Sequence, residues 1–302
     1  MRIFITGGAG FIGTYLCKKL LFQNHTVTVF DNFENSSKAH FTSIFDDSVT
    51  VISGDITDHS KLSCSMKNHD VVIHLAAKIS VPNSIINPKS TFDTNVKGTQ
   101  NVLDSLYHNK INKIISLSSA AVYSESISKI SETDSTVPSS PYGASKLEME
   151  KKINHFTAHY TIESVILRLF NVYGSGQSFE YAGVITQFKE KINQNLPLII
   201  YGDGQVIRDF IYIDDVVTAI ILAMNSSKSN TYNIASGTST SVIDLAKTMI
   251  TLSGKPLDII FKPVRDGDIL SSVSDVSLAK TSLEFTPKIS LKKGLVQFLS
   301  KQ

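Results

Sequence analysis

Short runs of apolar and β-branched residues alternate with longer amphipathic patterns over the first two thirds of the chain. The runs that predict strands are RIFIT (2–6), TVTVF (26–30), SVTVI (48–52), DVVIHL (70–75), KIISLS (113–118) and SVILRL (164–169). The longer patterns predict helices at 11–23, 89–109 and 142–158. Continuous apolar strands separated by helix-length connections are typical of parallel strands buried on both faces. The pattern predicts an α/β fold with a Rossmann-type, doubly wound parallel sheet.

The regular alternation of predicted strands and helices ends at about residue 173, after which Gly, Ser, Asn and Pro become frequent. Helices are predicted at 182–194, 214–225 and 241–252, with a short strand at 198–200. At 302 residues the chain is near the size at which one core gives way to two. We expect a dinucleotide-binding domain and a smaller, mixed α/β substrate domain. The bounds predicted for the first are 1–172 with 205–235 returning to it, and for the second 173–204 and 236–302.

Composition narrows the class of protein. Charged residues make up 19% of the chain and apolar residues 42%, and the formal net charge is +2. These values are typical of a globular protein and give no reason to expect a nucleic-acid partner. No apolar stretch approaches the 18 residues of a membrane span. The N-terminus runs from a strand into glycines, unlike a signal peptide, so we expect a cytoplasmic protein.

Cysteine and histidine usage indicates neither a disulfide framework nor a metal site. Cys17 and Cys64 are predicted to be buried structural residues in a reducing compartment, and the eight histidines show no metal-ligand spacing. His74, at the end of an apolar strand, is predicted to be packed and hydrogen-bonded. Asp214 and Asp215 begin a predicted helix, where capping and the helix dipole suffice to explain them.

A glycine-rich turn follows the first strand. The segment TGGAGFIG (6–13) places glycines at 7, 10 and 13 before a predicted helix. Gly7 and Gly10 would let the backbone approach a pyrophosphate at the helix N-terminus, and Gly13 would let the helix pack closely on the strand. Asp31 ends the second strand, where a carboxylate can accept both ribose hydroxyls and repel a 2′-phosphate. The sequence therefore predicts NAD binding, with Asp55 beside the adenine amino group.

Tyr142 precedes Lys146 by four residues, which puts both side chains on one face of a predicted helix. Taken alone, the pair is typical of an exposed helix. Use of the phenol as a base at neutral pH would need its pKa to fall by about 3 units, or about 4 kcal/mol. The Lys146 ammonium and the positive nicotinamide ring could together stabilise the phenolate to that extent. This predicts a base that is active only when oxidised cofactor is bound.

Ten segments occur in an order that resembles the extended short-chain dehydrogenase/reductase family, and within it the nucleotide-sugar epimerases. They are TGGAGFIG (6–13), DN (31–32), GDI (54–56), HLAA (74–77), NVKGTQNVL (95–103), SSAAVY (118–123), YGASK (142–146), RLFNVYG (168–174), YGDGQVIRDFIYIDDV (201–216) and RDGD (265–268). They span nearly the whole chain.

The resemblance implies roles for individual residues. Tyr142 would be the catalytic acid/base, Lys146 its electrostatic partner, and Ser119 a hydroxyl that binds the sugar oxygen and relays its proton. The residues implied at the cofactor are Gly7, Gly10, Phe11, Ile12, Asp31, Asn32, Asp55, Ile56, Leu75, Ala76, Ala77, Asn95, Tyr142 and Lys146. The residues implied at a UDP-sugar are Ser119, Tyr142, Asn171, Arg208, Arg265 and Ser272. A homodimer through helices 89–109 and 142–158 is also implied.

The segment after the fifth strand discriminates among reactions of the family. The 4,6-dehydratases of the family carry a motif similar to STDEVYG, whose Asp and Glu transfer protons during loss of water. Here both positions are alanine, Ala120 and Ala121, and the nucleotide-sugar decarboxylases of the family also carry Glu at the second. The resemblance therefore implies oxidation at C4, rotation of the keto sugar and return of the hydride, which together make a 4-epimerase.

Ser272 aligns with a position that lines the hexose pocket in family epimerases. A small residue leaves room for an N-acetyl group, which favours UDP-GlcNAc/UDP-GalNAc interconversion, alongside UDP-Glc/UDP-Gal. UDP-glucuronate or pentose epimerisation, another enzyme of the family, and a non-catalytic NAD-binding regulator stay open as alternatives. The chain departs from the family at Ser124, where Gly is usual, and at Ile79, where hexose epimerases have Lys. Whether neighbouring Lys78 replaces that lysine is left open.

Overall fold

The computed structural model describes residues 1–126, 128–177, 183–264 and 271–300. The chain divides into two compact units. The first comprises Met1–Ser124, Ser135–Arg168 and Val217–Tyr232; the second comprises Glu125–Asp134, Leu169–Val216 and Asn233–Gln302. The domain bounds expected from the sequence stay a prediction. No helix among the described residues is long and apolar enough to cross a membrane.

The strands and helices are numbered in chain order. The strands are β1 (Arg2–Thr6), β2 (Thr26–Asp31), β3 (Val49–Ser53), β4 (Val71–His74), β5 (Lys113–Ser119), β6 (Glu163–Leu169), β7 (Asn171–Tyr173), β8 (Leu198–Tyr201), β9 (Ile207–Arg208), β10 (Phe210–Tyr212), β11 (Asn230–Ile234), β12 (Thr240–Ser241), β13 (Ile259–Lys262) and β14 (Ser271–Ser272). The α-helices are α1 (Phe11–Phe22), α2 (Lys38–Phe45), α3 (His59–Ser65), α4 (Val81–Ile86), α5 (Pro88–Phe92), α6 (Thr99–His108), α7 (Pro141–Tyr160), α8 (Val184–Asn193), α9 (Ile213–Asn225), α10 (Val242–Ser253), α11 (Ser277–Ser282) and α12 (Leu291–Ser300).

A seven-stranded sheet has the order β11-β6-β5-β4-β1-β2-β3. β1 pairs in parallel with β2 and β4, and the parallel pairings continue to β3 on one side and β5 on the other. The chain therefore reverses its direction of winding between β1 and β4, as in a Rossmann fold, where ligands bind at the carboxyl ends of the strands. The predicted fold class is confirmed.

Smaller sheets are described within the second unit. β7 pairs with β10, and β8 pairs with β13, both in parallel. A three-stranded sheet has β9 in the centre, antiparallel to β12 and parallel to β14. These strands have two to four residues each, too few to show a periodic sequence pattern, so most of them were not predicted.

The helix predicted at 89–109 is present, but it is not α-helical throughout. Two α-helices, α5 and α6, flank a π-helical stretch at Asp93–Gly98. Asn95 lies in this stretch, and its buried side chain bonds to groups outside its own helix. A π-bulge keeps the hydrophobic pattern of a helix while turning one side chain out of register, so the pattern did not reveal it.

Two smaller expectations also need correction. Cys17 is buried, but Cys64 is exposed on the short helix α3, so only one of the two cysteines is a core residue. Asp215 does more than begin α9. Its buried carboxylate accepts hydrogen bonds from the backbone N–H of Lys288 at 3.0 Å and of Ile289 at 2.9 Å. It therefore tethers the segment that leads into α12.

A charged pair lies inside the first unit, between α7 and β6. Glu150 and Arg168 are 2% and 7% exposed, and Arg168 Nη2 lies 2.6 Å from Glu150 Oε2, with Arg168 Nε bonding the same carboxylate. Arg168 Nη1 also donates to the Tyr123 hydroxyl at 2.7 Å. The pair raises the pKa of Arg168 even though burial opposes its charge. Each charge is therefore compensated by the other, and Tyr123 adds a further contact to Arg168.

We expect Glu150→Leu to lower the free energy of unfolding by about 3–5 kcal/mol, because the guanidinium of Arg168 is left buried without its partner. The double variant Glu150→Leu/Arg168→Met removes both charges and is expected to recover most of that loss. Urea unfolding followed by circular dichroism measures both. A double variant as unstable as the single one would contradict this account of the pair.

Candidate active site

The glycine loop between β1 and α1 has two glycines that the protein itself requires. Gly7 has φ +68°, and a Cβ on it would lie 2.5 Å from the backbone N of Ala76. A Cβ on Gly13 would overlap the backbone of Gly8. Gly10 differs, because its φ is −74° and its Cβ would meet no described atom closer than Gly7 O at 3.4 Å. Packing among the described residues therefore leaves open space at Gly10.

That space lies at the N-terminus of α1, where Gly10 is the N-cap and provides no side-chain acceptor. The first-turn N–H groups of a helix attract an anion. The loop thus fits the pyrophosphate of a dinucleotide, as the sequence predicted. Phe11 and Ile12 form the first turn of the helix, and the Phe11 ring packs edge-on against Tyr15 with centroids 5.8 Å apart.

Asp31, at the end of β2, holds this loop in place. Its Oδ2 accepts from the N–H of Ala9 at 3.0 Å, and its Oδ1 accepts from the N–H of Phe33 at 2.8 Å. Burial raises the pKa of this carboxyl, and the two backbone hydrogen bonds oppose the rise. Each oxygen keeps a lone pair, so the predicted contact with ribose hydroxyls is compatible with the loop contacts.

Asp55 and Asn32 form a second polar group beside Asp31. Asn32 Nδ2 donates to Asp55 Oδ2 at 2.9 Å, while Thr57 donates to Asp55 Oδ1 from its N–H and its hydroxyl. Burial opposes ionisation of Asp55, but these hydrogen bonds outweigh it and lower the pKa of the carboxyl. Ile56 is placed differently, since its side chain is 4% exposed and belongs to the hydrophobic core. Any contact of Ile56 with a cofactor would involve its backbone.

The segment after β4 contains Leu75, Ala76 and Ala77, three residues implied at the cofactor. Leu75 N–H donates to Thr6 O at 3.0 Å, which extends the pairing of β4 with β1 by one residue. The end of the segment is clamped by Asn95, which is 1% exposed. Asn95 Oδ1 accepts from the N–H of Lys78, and both protons of its amide are engaged, one by Lys78 O and one by Ser145 Oγ. Asn95 therefore positions the segment.

Lys78, whose role was left open, extends along the same edge. Its Nζ donates to Ser90 Oγ at 2.9 Å and lies 3.4 Å from Glu34 Oε1. Its charge also contributes to the low pKa of Asp55. The ammonium thus lies among the predicted adenosine-binding residues.

His74 is buried, as predicted, and its hydrogen bonds determine its tautomer. The Thr99 hydroxyl donates to Asn95 O at 2.6 Å, so it accepts from His74 Nε2 at 2.9 Å. His74 Nδ1 is then the acceptor for the Thr6 hydroxyl at 2.7 Å. Burial, and secondarily the charge of Lys146, lower the pKa of His74 to about 3. His74 is therefore a neutral link between β1, β4 and the π-helical stretch.

Ser119, Tyr142 and Lys146, the predicted catalytic group, come together at the end of β5. The hydroxyl of Ser119 lies beside the Tyr142 phenol, and Ser119 Oγ accepts from the N–H of Ala121 at 3.1 Å. Lys146 lies one turn further along α7, where its Nζ donates to Leu117 O at 2.8 Å. Tyr142 and Lys146 are 9% and 4% exposed, so neither is an ordinary surface residue.

Burial has opposite effects on the two titrating groups. It raises the pKa of the Tyr142 phenol, and the hydrogen bond from Ser119 opposes the rise. It lowers the pKa of Lys146 to about 8, while the nearby charge of Glu150 opposes the fall. The protein alone therefore holds the phenol protonated. That bound cofactor lowers the pKa of Tyr142 stays a prediction.

Two residues that place Tyr142 were not recognised from the sequence. A Cβ on Gly143 would overlap the carbonyl of Ala121, so α7 can approach the Ser119 turn this closely only with glycine there. Ser84 Oγ, buried in α4, accepts from the N–H of Tyr142 at 3.1 Å. A glycine directly after the tyrosine was a visible signal, whereas Ser84 lies 58 residues away in the chain.

Three of the residues predicted to bind the nucleotide sugar lie in the second unit. Arg208 in β9 is paired with Ser272 in β14 on one side and with Thr240 in β12 on the other. Residues paired in register share a face of a sheet, so these three form one row, in which Thr240 was not predicted. Asn171 Nδ2 donates to the backbone carbonyl of Asp209 at 2.9 Å. Arg265 lies outside the described residues.

The small residue of this row is enclosed by the protein. Ser272 is 6% exposed, so its side chain is buried within the second unit.

Ser124, which replaces the glycine that is usual in the family, donates to Ser135 O from both its N–H and its hydroxyl, at 3.3 Å each. No group of three or more potential metal ligands occurs among the described side chains.

Comparison with known proteins places these features in context. The NAD dependent epimerase/dehydratase family matches residues 3–235 of the chain. A UDP-glucose 4-epimerase from Thermotoga maritima, solved with UDP-glucose, has a TM-score of 0.94 and 32% identity, and the match covers 99% of this chain and 97% of that one. A UDP-N-acetylglucosamine 4-epimerase from Methanobrevibacter ruminantium, in complex with UDP-N-acetylmuramic acid, has a TM-score of 0.93 and 31% identity, with 99% and 96% covered.

A third similar structure is a UDP-glucuronic acid 4-epimerase from Bacillus cereus in complex with UDP-glucuronic acid and NAD. Its TM-score is 0.91 with 32% identity, and the match covers 99% of this chain and 98% of that one. The three relatives differ in the sugar that they are named for. The fold and the family are therefore shared, whereas the sugar varies within the group.

The low pKa of His74 predicts a pH dependence of stability. The folded protein keeps His74 neutral down to about pH 3, whereas the unfolded chain takes up this proton near pH 6.5. The stability present above pH 6.5 is thus lost as the pH falls towards 3, by up to about 1.4 kcal/mol per pH unit. His74→Gln, which cannot titrate, is expected to show a shallower loss in urea unfolding at pH 7, 6 and 5. If the free energy of unfolding fell equally with pH in the wild type and in His74→Gln, His74 would not be the source of the pH dependence.

Proposed function

Because the chain belongs to the NAD-dependent epimerase/dehydratase family, we propose that it is an NAD-dependent 4-epimerase of UDP-sugars. The observation that carries the proposal is the buried phenol of Tyr142 beside Ser119, with Lys146 one turn away, at the carboxyl edge of a Rossmann sheet. NAD, the cofactor predicted from the sequence, is confirmed for the family, and the glycine loop and Asp31 fit it.

The roles of the chain's own residues follow from their contacts. The cofactor, when bound, accepts a hydride from the sugar and returns it. Tyr142 takes the proton of the sugar hydroxyl as the hydride leaves, and Ser119, which lies beside it, holds the sugar oxygen and relays the proton. Lys146 is held by Leu117 O and, when charged, favours the phenolate form of Tyr142. Return of the hydride to the opposite face of C4, with return of the proton to the C4 oxygen, inverts C4.

The turn after β5 supports epimerisation over dehydration. Ala120 and Ala121 form a 3-10 turn directly after Ser119. Their methyl groups cannot exchange protons, so this turn provides no acid or base for removing a hydroxyl from the sugar. This turn therefore favours return of the hydride to the keto sugar over loss of water.

For the sugar itself, we propose UDP-GlcNAc/UDP-GalNAc interconversion, with UDP-Glc/UDP-Gal as further substrates. Its support is the small side chain of Ser272, which shares a sheet face with Arg208, the residue proposed to bind the diphosphate. UDP-glucuronate is the alternative, and one similar structure is named for that sugar. Asn171 and Arg265 complete the proposed nucleotide contacts.

The purified protein, with no added cofactor, is expected to convert UDP-GlcNAc to its C4 epimer, because the hydride returns and NAD is not consumed. UDP-GlcNAc, UDP-Glc and UDP-GlcA are incubated separately and the epimers resolved by NMR. Tyr142→Phe is expected to lower kcat by about 10²–10⁴-fold with NAD retained, since only the proton transfer is lost. Tyr160→Phe, on the exposed end of the same helix, is the matched control.

No epimer from any of the three substrates would refute the proposed reaction. Retention of NAD without any turnover would favour the non-catalytic regulator. A near-normal rate for Tyr142→Phe would remove Tyr142 from the proton transfer.

We also propose a homodimer formed through α6 and α7. Tyr107 and Tyr160 are 50% and 40% exposed, and their rings contact each other at 4.3 Å between centroids. Phe156 joins them, at 4.6 Å from Tyr160. Burial of such an aromatic cluster against a second copy would stabilise a dimer.

The double variant Tyr107→Glu/Tyr160→Glu is expected to be a monomer, because dimerisation would bury its carboxylates. Light scattering coupled to size-exclusion chromatography measures the mass. Phe22→Glu, at an 82% exposed aromatic on α1, is the control that should keep the wild-type mass. A monomeric wild-type protein would contradict the proposal.

A further inference from the structure

Asp209 lies at the point where separate segments of the second unit meet. It directly follows Arg208 and is fully buried. Its Oδ1 accepts from the N–H of Ser236 at 2.8 Å and from the Ser236 hydroxyl at 2.7 Å. Its Oδ2 accepts from the N–H of Gly237 at 2.9 Å and from the N–H of Ser274 at 3.3 Å. One carboxylate therefore joins the turn before β12 to the segment after β14.

The backbone of Asp209 bonds to two of the proposed substrate residues. Its N–H donates to Ser272 O at 3.0 Å. Its carbonyl accepts from Asn171 twice, from the N–H at 3.1 Å and from Nδ2 at 2.9 Å. The third, Arg208, is its neighbour in the chain. Asn171, Arg208 and Ser272, which are far apart in the sequence, are thus each connected to Asp209 directly.

We propose that Asp209 is a positioning residue that sets the affinity for the nucleotide part of the substrate. This role rests on the proposed function, in which Arg208 and Asn171 contact the UDP part of the substrate, and it assigns the arrangement of those contacts to Asp209. Asp209 transfers no proton and, being fully buried, touches no ligand itself. It acts by holding Arg208 and Asn171 at a fixed spacing, so that binding the diphosphate does not first require ordering three segments.

The charge of Asp209 is needed for this role. A carboxylate accepts at both oxygens, and four donors point at it. In Asp209→Asn, the amide NH₂ would face either the N–H and hydroxyl of Ser236 or the N–H groups of Gly237 and Ser274, so at least one backbone N–H would lose its acceptor. The side chain would keep its size, which confines the change to these hydrogen bonds.

Asp215 offers a matched control. It is also a buried carboxylate of the second unit, and it also accepts two backbone N–H groups, those of Lys288 and Ile289. None of the proposed substrate residues is among its described partners. Asp215→Asn therefore removes a comparable tether without changing the attachments of Asn171, Arg208 or Ser272.

The experiment measures binding of UDP to the NAD-containing protein by calorimetry, together with KM and kcat for the UDP-sugar that is turned over. Asp209→Asn is expected to raise the Kd of UDP and the KM about tenfold, with a smaller change in kcat and unchanged NAD content, because the residues that fit NAD lie in the first unit. Asp215→Asn is expected to lower Tm while leaving the Kd of UDP within about twofold of wild type.

A milder pair of variants covers the case in which Asp209→Asn does not fold. Ser236→Ala removes one of the four donors and is expected to raise the Kd of UDP about threefold, and Ser236→Thr, which keeps the hydroxyl, is expected to restore it. An unchanged Kd in the folded variants of both positions would overturn the inference. Equal effects of Asp209→Asn and Asp215→Asn on Kd would overturn it as well, since any lost tether would then suffice.

The outcomes also separate this inference from the proposed function. If the wild-type protein binds UDP but epimerises no UDP-sugar, the proposed reaction fails and the role of Asp209 is judged by the Kd values alone. If the wild-type protein binds no UDP, both fail.

Discussion

Removal of Tyr142 and Lys146 from water is the constraint on which the candidate chemistry depends. Burial favours the neutral form of both groups, raising the pKa of the phenol and lowering that of the ammonium to about 8. The protein opposes this with nearby groups, the Ser119 hydroxyl for one and the Glu150 carboxylate for the other. Glu150 can carry its charge there because Arg168 compensates it. A bound cation at the same edge would favour the phenolate form of Tyr142.

This buried arrangement requires backbone segments to approach one another unusually closely. α7 approaches the Ser119 turn at Gly143, and the cofactor loop approaches the end of β4 at Gly7. Neutral hydrogen-bonded side chains then hold the segments in place, with His74 and Asn95 as the central members. A protonated His74 would place a second buried cation near Lys146. The hydroxyls of Thr6 and Thr99 satisfy both ring nitrogens of the neutral imidazole instead.

In the second unit, segments are held together by a buried carboxylate, that of Asp209. Its short strands cannot hold their own register, because two-residue strands form few ladder bonds. The carboxylate of Asp209 provides attachment across them, and burial raises its pKa while four hydrogen bonds oppose that rise. Desolvation is thus offset locally at these buried groups, by neighbouring side chains at Tyr142 and Lys146 and by the donors of Ser236, Gly237 and Ser274 at Asp209.

The sequence by itself determined the Rossmann sheet and the glycine loop with Asp31, and its resemblance to a family pointed to Ser119, Tyr142 and Lys146 as the candidate catalytic group. The sheet and the loop depend on local signals, which are apolar strand runs and glycines at a strand-to-helix turn, whereas the candidate group depends on the order of motifs along the chain. Only the tertiary structure decided that Asn95 lies in a π-helical stretch, that Cys64 is exposed, that Ser84 supports Tyr142, and that Thr240 lies beside Arg208. The physical reason is that these four depend on contacts between residues distant in the chain, for which the local pattern carries no signal.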